Sequence, residues 1–193
     1  MSDKIGILFS RQKVNLSRYQ VLGILSLGIL LFLISCHQSY RTRIRSGDLQ
    51  DLGLIIPVEG VQNLENISPF GSPRQHGRRL HNGIDIFAPA GTAVIAPQNG
   101  RVVYVSFEES AGNYIYLLDY RGEYLYEFLH LQSPAPGIEK GVEVRQGEVI
   151  GFVGNTGNAR GSPPHLHFSI AHLLDSESIF RNKRYLDPKL FIK

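Results

Sequence analysis

After residue 53 the chain breaks into short runs rich in Val, Ile, Tyr and Phe, separated by glycines and prolines that number 20 and 10 in the whole sequence. Such a pattern favours many short strands and tight turns over a helical bundle. The runs TAVIA (92–96) and RVVYVSF (101–107) flank PQNG. Its Asn-Gly pair is a strong turn signal, which predicts two antiparallel strands in a hairpin. NYIYLLDY (113–120) and EYLYEFLHL (123–131) flank Arg-Gly in the same manner and predict a second hairpin. A further short strand is expected at Val149–Val153, and HLHFSIA (165–171) is the last clear one. Neither a heptad pattern nor an internal repeat is visible. The expected fold is all-β, a twisted antiparallel sheet with its polar motifs on strands and at strand ends.

The N-terminal third reads differently. Val21–Ser35 is an uncharged apolar run preceded by Lys4, Arg11, Lys13 and Arg18. A membrane-spanning helix needs about 20 apolar residues, so this run suits the apolar region of a secretory signal better than a permanent span. It ends in LISC, and Cys36 is the one cysteine of the chain, so no disulfide can form within it. A lone cysteine in this setting resembles the lipobox of bacterial lipoproteins. That resemblance implies cleavage between Ser35 and Cys36 and a lipid on Cys36; the competing reading is an uncleaved signal anchor with an idle thiol. Either version leaves residues 37–193 outside the inner membrane. From Gln38 to Asp51 the chain is polar and basic with no sustained apolar period, as in a tether. The expected organisation is a signal at 1–35, a lipidated cysteine and tether at 36–52, and one domain at 53–193, placed at the cell envelope and facing the periplasm or the exterior.

Charge alters this picture only by exclusion. The formal net charge is +3, and the excess sits in residues 1–35, where four basic side chains face Asp3 alone. The rest is formally neutral, with no electrostatic footprint for nucleic acid.

Two motifs carry chemistry. Residues i and i+2 of a strand share a face, so His165 and His167 project together while Leu166 and Phe168 point away. Alone, such a pair also arises by chance on an exposed strand. HNGID places His81 and Asp85 four apart, in a loop entering a strand, and such a pair alone is more often a hydrogen-bonded surface contact. Imidazole nitrogen and carboxylate oxygen together suit zinc, and two His with one Asp leave a fourth position to water, as in catalytic rather than structural sites.

The joint pattern SPFGSPR…HNGIDIFAPAGTAVIAPQNGRVVYV…FLHL…GVEVRQGEVIGFVGNTGN…PPHLHF, covering about Ser68–Ile170, resembles the lysostaphin-type (LytM-like) zinc endopeptidases that cut peptidoglycan cross-links. The resemblance implies a lysostaphin-like fold of duplicated-hybrid-motif type, an antiparallel sheet with a groove. It implies one zinc ion per chain held by His81, Asp85 and His167, and catalytic roles for His130 and His165, which position or deprotonate water and stabilise the tetrahedral intermediate. It further implies peptidoglycan as substrate, a membrane contact through Cys36, and room for a regulatory partner in the envelope. The sequence departs from the family's pattern in YEFLHL before His130 and in NARGSPP before the second motif. The rival function is a non-catalytic activator of other wall hydrolases, as in members that have lost ligands; a zinc-storing lipoprotein is the third.

Other residues read as structural. His76 lies in RQHGRR, a polar loop expected at a solvated surface; His172 is out of phase with the ligands, and His37 belongs to the tether. The alternating tyrosines read as cross-strand packing, and GNTGN as a turn without the lysine of a phosphate loop.

Overall fold

The computed structural model describes residues 52–74, 77–175 and 179–193. The expected signal, Cys36, His37, the tether up to residue 51 and His76 therefore lie outside the described residues. The first elements are the short strands β1 (Ile67–Ser68), β2 (Pro73–Arg74) and β3 (Arg79–Leu80), then β4 (Ile84–Phe87) and β5 (Ala93–Ile95). The long strands β6 (Gly100–Glu108), β7 (Gly112–Leu118) and β8 (Tyr124–Leu131) follow. After β9 (Ser133–Pro134), β10 (Glu143–Val144) and β11 (Val149–Phe152) come the site strand β12 (His165–Leu173) and β13 (Lys183–Leu186).

The large sheet runs β1-β4-β12-β8-β7-β6-β10, antiparallel throughout. β13 pairs with β12 beyond the point where β4 ends. β5, β11 and β9 form a second, three-stranded sheet. Alternation along each strand decides the two faces. Ile84 and Ile86, Ile115 and Leu117, Tyr126 and Phe128, and Leu166, Phe168 and Ile170 turn to one side and are fully buried, packed in one cluster with Val94 and Ile150 of the small sheet. At about 1.5–3 kcal/mol for each large apolar side chain buried, this two-sheet core is the main stabilising element. The ends of the domain meet, with Leu54 bridged to Ile192 in parallel.

The all-β antiparallel fold is thus as expected, and so is the β7–β8 hairpin, whose turn is closed by Asp119 Oδ1 accepting from the amides of Glu123 and Tyr124 at 2.8 and 2.9 Å. The first hairpin is not formed. β5 pairs with β11 and β6 with β7 and β10, so PQNG joins two sheets instead of folding one strand on the next. Distant groups capture the loop's polar atoms: Asn99 Oδ1 accepts from the Gln146 amide at 2.8 Å, and Gln146 Nε2 donates to Pro97 O at 2.8 Å. Non-local pairing overrides the local turn signal here.

Candidate functional site

The outer face of the large sheet holds what the core face excludes. Asp85 on β4 is the cross-strand partner of His167 on β12, which sets carboxylate beside imidazole on that face. His81 reaches the same point from the loop before β4, held by its amide on Ser72 O and by the Gly71 amide on its carbonyl, both 2.9 Å. The loop passes so close to β12 that a Cβ at Gly83 would stand 2.4 Å from Phe168 O and 2.6 Å from Ser169 Oγ. HNGID needs its glycine for this approach.

His81 Nε2, Asp85 Oδ1 and His167 Nδ1 converge, with separations of 3.0 Å between the imidazole nitrogens and 3.0 and 2.8 Å from each to the carboxylate oxygen. Proton accounting shows what such a cluster needs. His81 Nδ1 lies 2.9 Å from the Pro69 carbonyl, which only accepts, so Nδ1 carries the ring proton. His167 Nε2 lies 3.0 Å from Ser169 Oγ, a hydroxyl that accepts from a protonated Nε2 or donates to a bare one. With both outward nitrogens protonated, the inward nitrogens of the neutral rings would present lone pairs, and Asp85 adds a carboxylate oxygen beside them. Burial alone would raise the Asp85 carboxyl, but the two imidazoles against it hold it well below the usual carboxylate range, so it is ionised. Burial also lowers the His167 imidazole, against the pull of Asp85. Two imidazole nitrogens and a carboxylate oxygen converging on one point form a donor set able to hold a cation. The N, O, N donor set is one zinc favours, and the spacing approaches the edge of about 3.3 Å of a tetrahedral shell with bonds near 2.0–2.1 Å. Outward hydrogen bonds that fix each ring are the usual support of such ligands.

His130 and His165 stand beside this cluster, with ring centroids 5.3 Å apart and His130 5.9 Å from His167. Each donates its Nδ1 proton to a backbone carbonyl, His130 to Thr156 at 3.0 Å and His165 to Pro163 at 2.8 Å, which leaves Nε2 of each ring as a proton acceptor. Burial, helped by the neighbouring His167 and His165, lowers His130 to about 4, so it is neutral at ordinary pH. Strict alternation would send His130 to the core side with Phe128. Its backbone is left-handed instead, φ 63°, which swings the ring into the groove. A non-glycine residue in that region stores strain, held here by the His130 amide on Ala111 O at 2.8 Å.

The five histidine and aspartate positions singled out in the sequence thus line one groove of about 570 Å³, together with Phe87, Glu108, Tyr116 and Tyr185. His172 lies away from it against Tyr124, its Nδ1 buried without a hydrogen-bond partner among the described residues. Of the tyrosines, Tyr116 and Tyr185 line the groove, Tyr104 stacks on Tyr114, and Tyr120 is exposed. Sequence reasoning missed Arg74, whose Nη2 contacts Asp85 Oδ2 and lies 2.9 Å from Ser68 Oγ. Ser169 and the Thr156 carbonyl behind the histidines escaped it too. So did Glu127 on the outer face, 3% exposed and paired with Lys183 Nζ at 2.5 Å. The one available signal was parity: Ser169 and Glu127 are in phase with His167 and Leu129 on adjacent strands.

Comparison with known proteins places this geometry. Peptidoglycan DD-endopeptidase ShyA of Vibrio cholerae is 32% identical over 180 residues, 87% of this chain and 40% of that protein. This chain spans less than half the length of the curated relatives it matches. Among solved structures, a zinc-containing peptidase from Vibrio cholerae aligns with TM-score 0.51 and 31% identity over 62% of this chain and 34% of that one. The catalytic domain of lysostaphin from Staphylococcus simulans aligns with TM-score 0.52 and 27% identity over 63% of this chain and 86% of that domain. The sequence model of peptidase family M23 matches residues 79–188, more than half of the chain. The chain belongs to peptidase family M23.

Proposed function

We propose that this protein is a zinc-dependent endopeptidase that hydrolyses peptide stems or cross-links of bacterial peptidoglycan from a lipid anchor on Cys36. The observation that carries the reading is the convergence of donor atoms of His81, Asp85 and His167 beside two imidazoles that give their Nδ1 protons to backbone carbonyls and leave Nε2 free. The name of ShyA supports the substrate class.

His81, Asp85 and His167 hold the ion. Zinc, when bound in such a site, supplies a Lewis acid that polarises a carbonyl and makes water acidic near neutral pH. His165 Nε2 takes the proton of the attacking water as its oxygen bonds to the scissile carbonyl carbon, and returns that proton to the leaving amine nitrogen as the C–N bond breaks. His130, neutral and anchored on Thr156, accepts a hydrogen bond from the same water and orients it. The walls at Phe87 and Tyr116 confine an extended peptide across the β4 and β12 strands. A non-catalytic activator has no need of these five side chains, whereas all five are present and assembled.

The test is mass spectrometry of fragments released from purified peptidoglycan by the detergent-solubilised full chain, with and without chelator. Soluble wall fragments with newly exposed amino groups, lost on chelation and regained with zinc, are expected. Zinc binding without any released product would overturn the enzymatic reading.

A further inference from the structure

Arg74 closes β2, opposite Arg79 of β3, just before the residues the family model matches. Its side chain is 34% exposed, yet its Nη2 reaches into the metal cluster. There it donates to Asp85 Oδ2 and to Ser68 Oγ at 2.9 Å. Ser68 on β1 is itself the cross-strand partner of Asp85, so the guanidinium brackets two neighbouring residues of one strand pair. Nη2 also lies 3.0 Å from His81 Nδ1, which is itself 2.9 Å from Pro69 O. The two oxygens of Asp85 therefore have separate partners. Oδ1 faces His81 Nε2 and His167 Nδ1, while Oδ2 is taken by Arg74.

We propose that Arg74 is a positioning residue for the metal centre, holding Asp85 as a one-oxygen ligand and so keeping a coordination position open for the reacting groups. The inference rests on the zinc reading above. Its physical basis is competition for Oδ2: a carboxylate with both oxygens unclaimed can rotate and close both on a cation, filling the corner that a catalytic site leaves to water. A guanidinium is suited to prevent this because its charge is permanent and its planar donors are fixed in direction. Ser68 completes the device by restraining the guanidinium in turn.

The experiment uses the full chain, wild type, Arg74→Ala, Arg74→Lys and Ser68→Ala, with far-UV circular dichroism to verify folding. Zinc affinity is measured by chelator competition, and the visible spectrum is recorded after Co²⁺ substitution, whose bands are intense at four-coordination and weaken as a fifth donor enters. In Arg74→Ala the cobalt bands should lose intensity, and zinc affinity should fall about tenfold or more, the usual scale for an outer support of a ligand. Arg74→Lys should restore most of the spectrum, since an ammonium can still neutralise Oδ2. Ser68→Ala, which leaves every ligand and the arginine in place, should shift the spectrum the same way by less, and serves if Arg74→Ala does not fold. A cobalt spectrum unchanged in Arg74→Ala, or in Ser68→Ala if that is the folded variant, overturns the proposal whatever the affinity. A wild-type chain that binds neither ion defeats the zinc reading instead, a different outcome.

Discussion

At the scale of single residues, the site separates side chains that would hold an ion from side chains that would move a proton, and the separation is testable. His165 and His167 sit two apart on one strand face, but only His167 Nδ1 joins the donor cluster. His165→Ala should therefore keep about one zinc per chain while cutting hydrolysis at least about 100-fold; His167→Ala should lose metal and activity together. Metal analysis beside the peptidoglycan assay distinguishes the two, and equal loss of zinc in both would show the roles reversed. His130 gives a pH test. Burial lowers its imidazole to about 4, against about 6.5 in an unfolded chain. Below about pH 6.5 the unfolded chain binds a proton that the fold refuses, so the metal-free fold should lose stability as pH falls toward about 4 and level off below it. His130→Asn, with a side chain that tolerates φ near 63°, should flatten this part of the curve in urea titrations with chelator present. Parallel curves for the two proteins would contradict the assignment. His165 and His167 were legible in sequence as a pair by type and spacing, while their separate roles, and His130 altogether, came from the family resemblance. Their supports were not: a carbonyl such as that of Thr156 looks the same in every residue, and Arg74 read as one more solvated arginine.

At the scale of elements, β12 shows how alternation divides labour. Leu166, Phe168 and Ile170 are fully buried on the core face, while His165, His167 and Ser169 serve the other. Phe168→Ala should destabilise the fold by about 3–5 kcal/mol in chemical denaturation, with metal-free His167→Ala close to the metal-free wild type. The reverse ordering would mean that the faces are misassigned. This period-2 pattern made β12 and the β7–β8 hairpin readable, because their information is local. The Asn-Gly turn misled for the complementary reason. Whether the strands flanking it pair with one another depends on partners such as β11, some 50 residues away, which a turn signal cannot report. His130 departs from alternation as well, since a left-handed residue at a strand end breaks the period without any mark in the sequence.

At the scale of the whole molecule, the two sheets form one core, and the donor cluster lies where β4, β12 and β8 meet on the opposite face. The chain before residue 52 bears on where this domain works. If Cys36 carries the anchor, Cys36→Ser should release the chain from the membrane fraction, and the mature wild-type protein should have the mass of a lipid-modified chain starting at residue 36. Retention of Cys36→Ser in the membrane would favour an uncleaved anchor. All of these readings converge on one ion among three side chains contributed by two strands and a loop. The most direct measurement is anomalous diffraction from crystals grown with zinc, recorded on both sides of the zinc absorption edge. The account predicts a single peak per chain, about 2.0–2.2 Å from His81 Nε2, Asp85 Oδ1 and His167 Nδ1. A peak elsewhere, or Asp85 turned away from the ion, would contradict it.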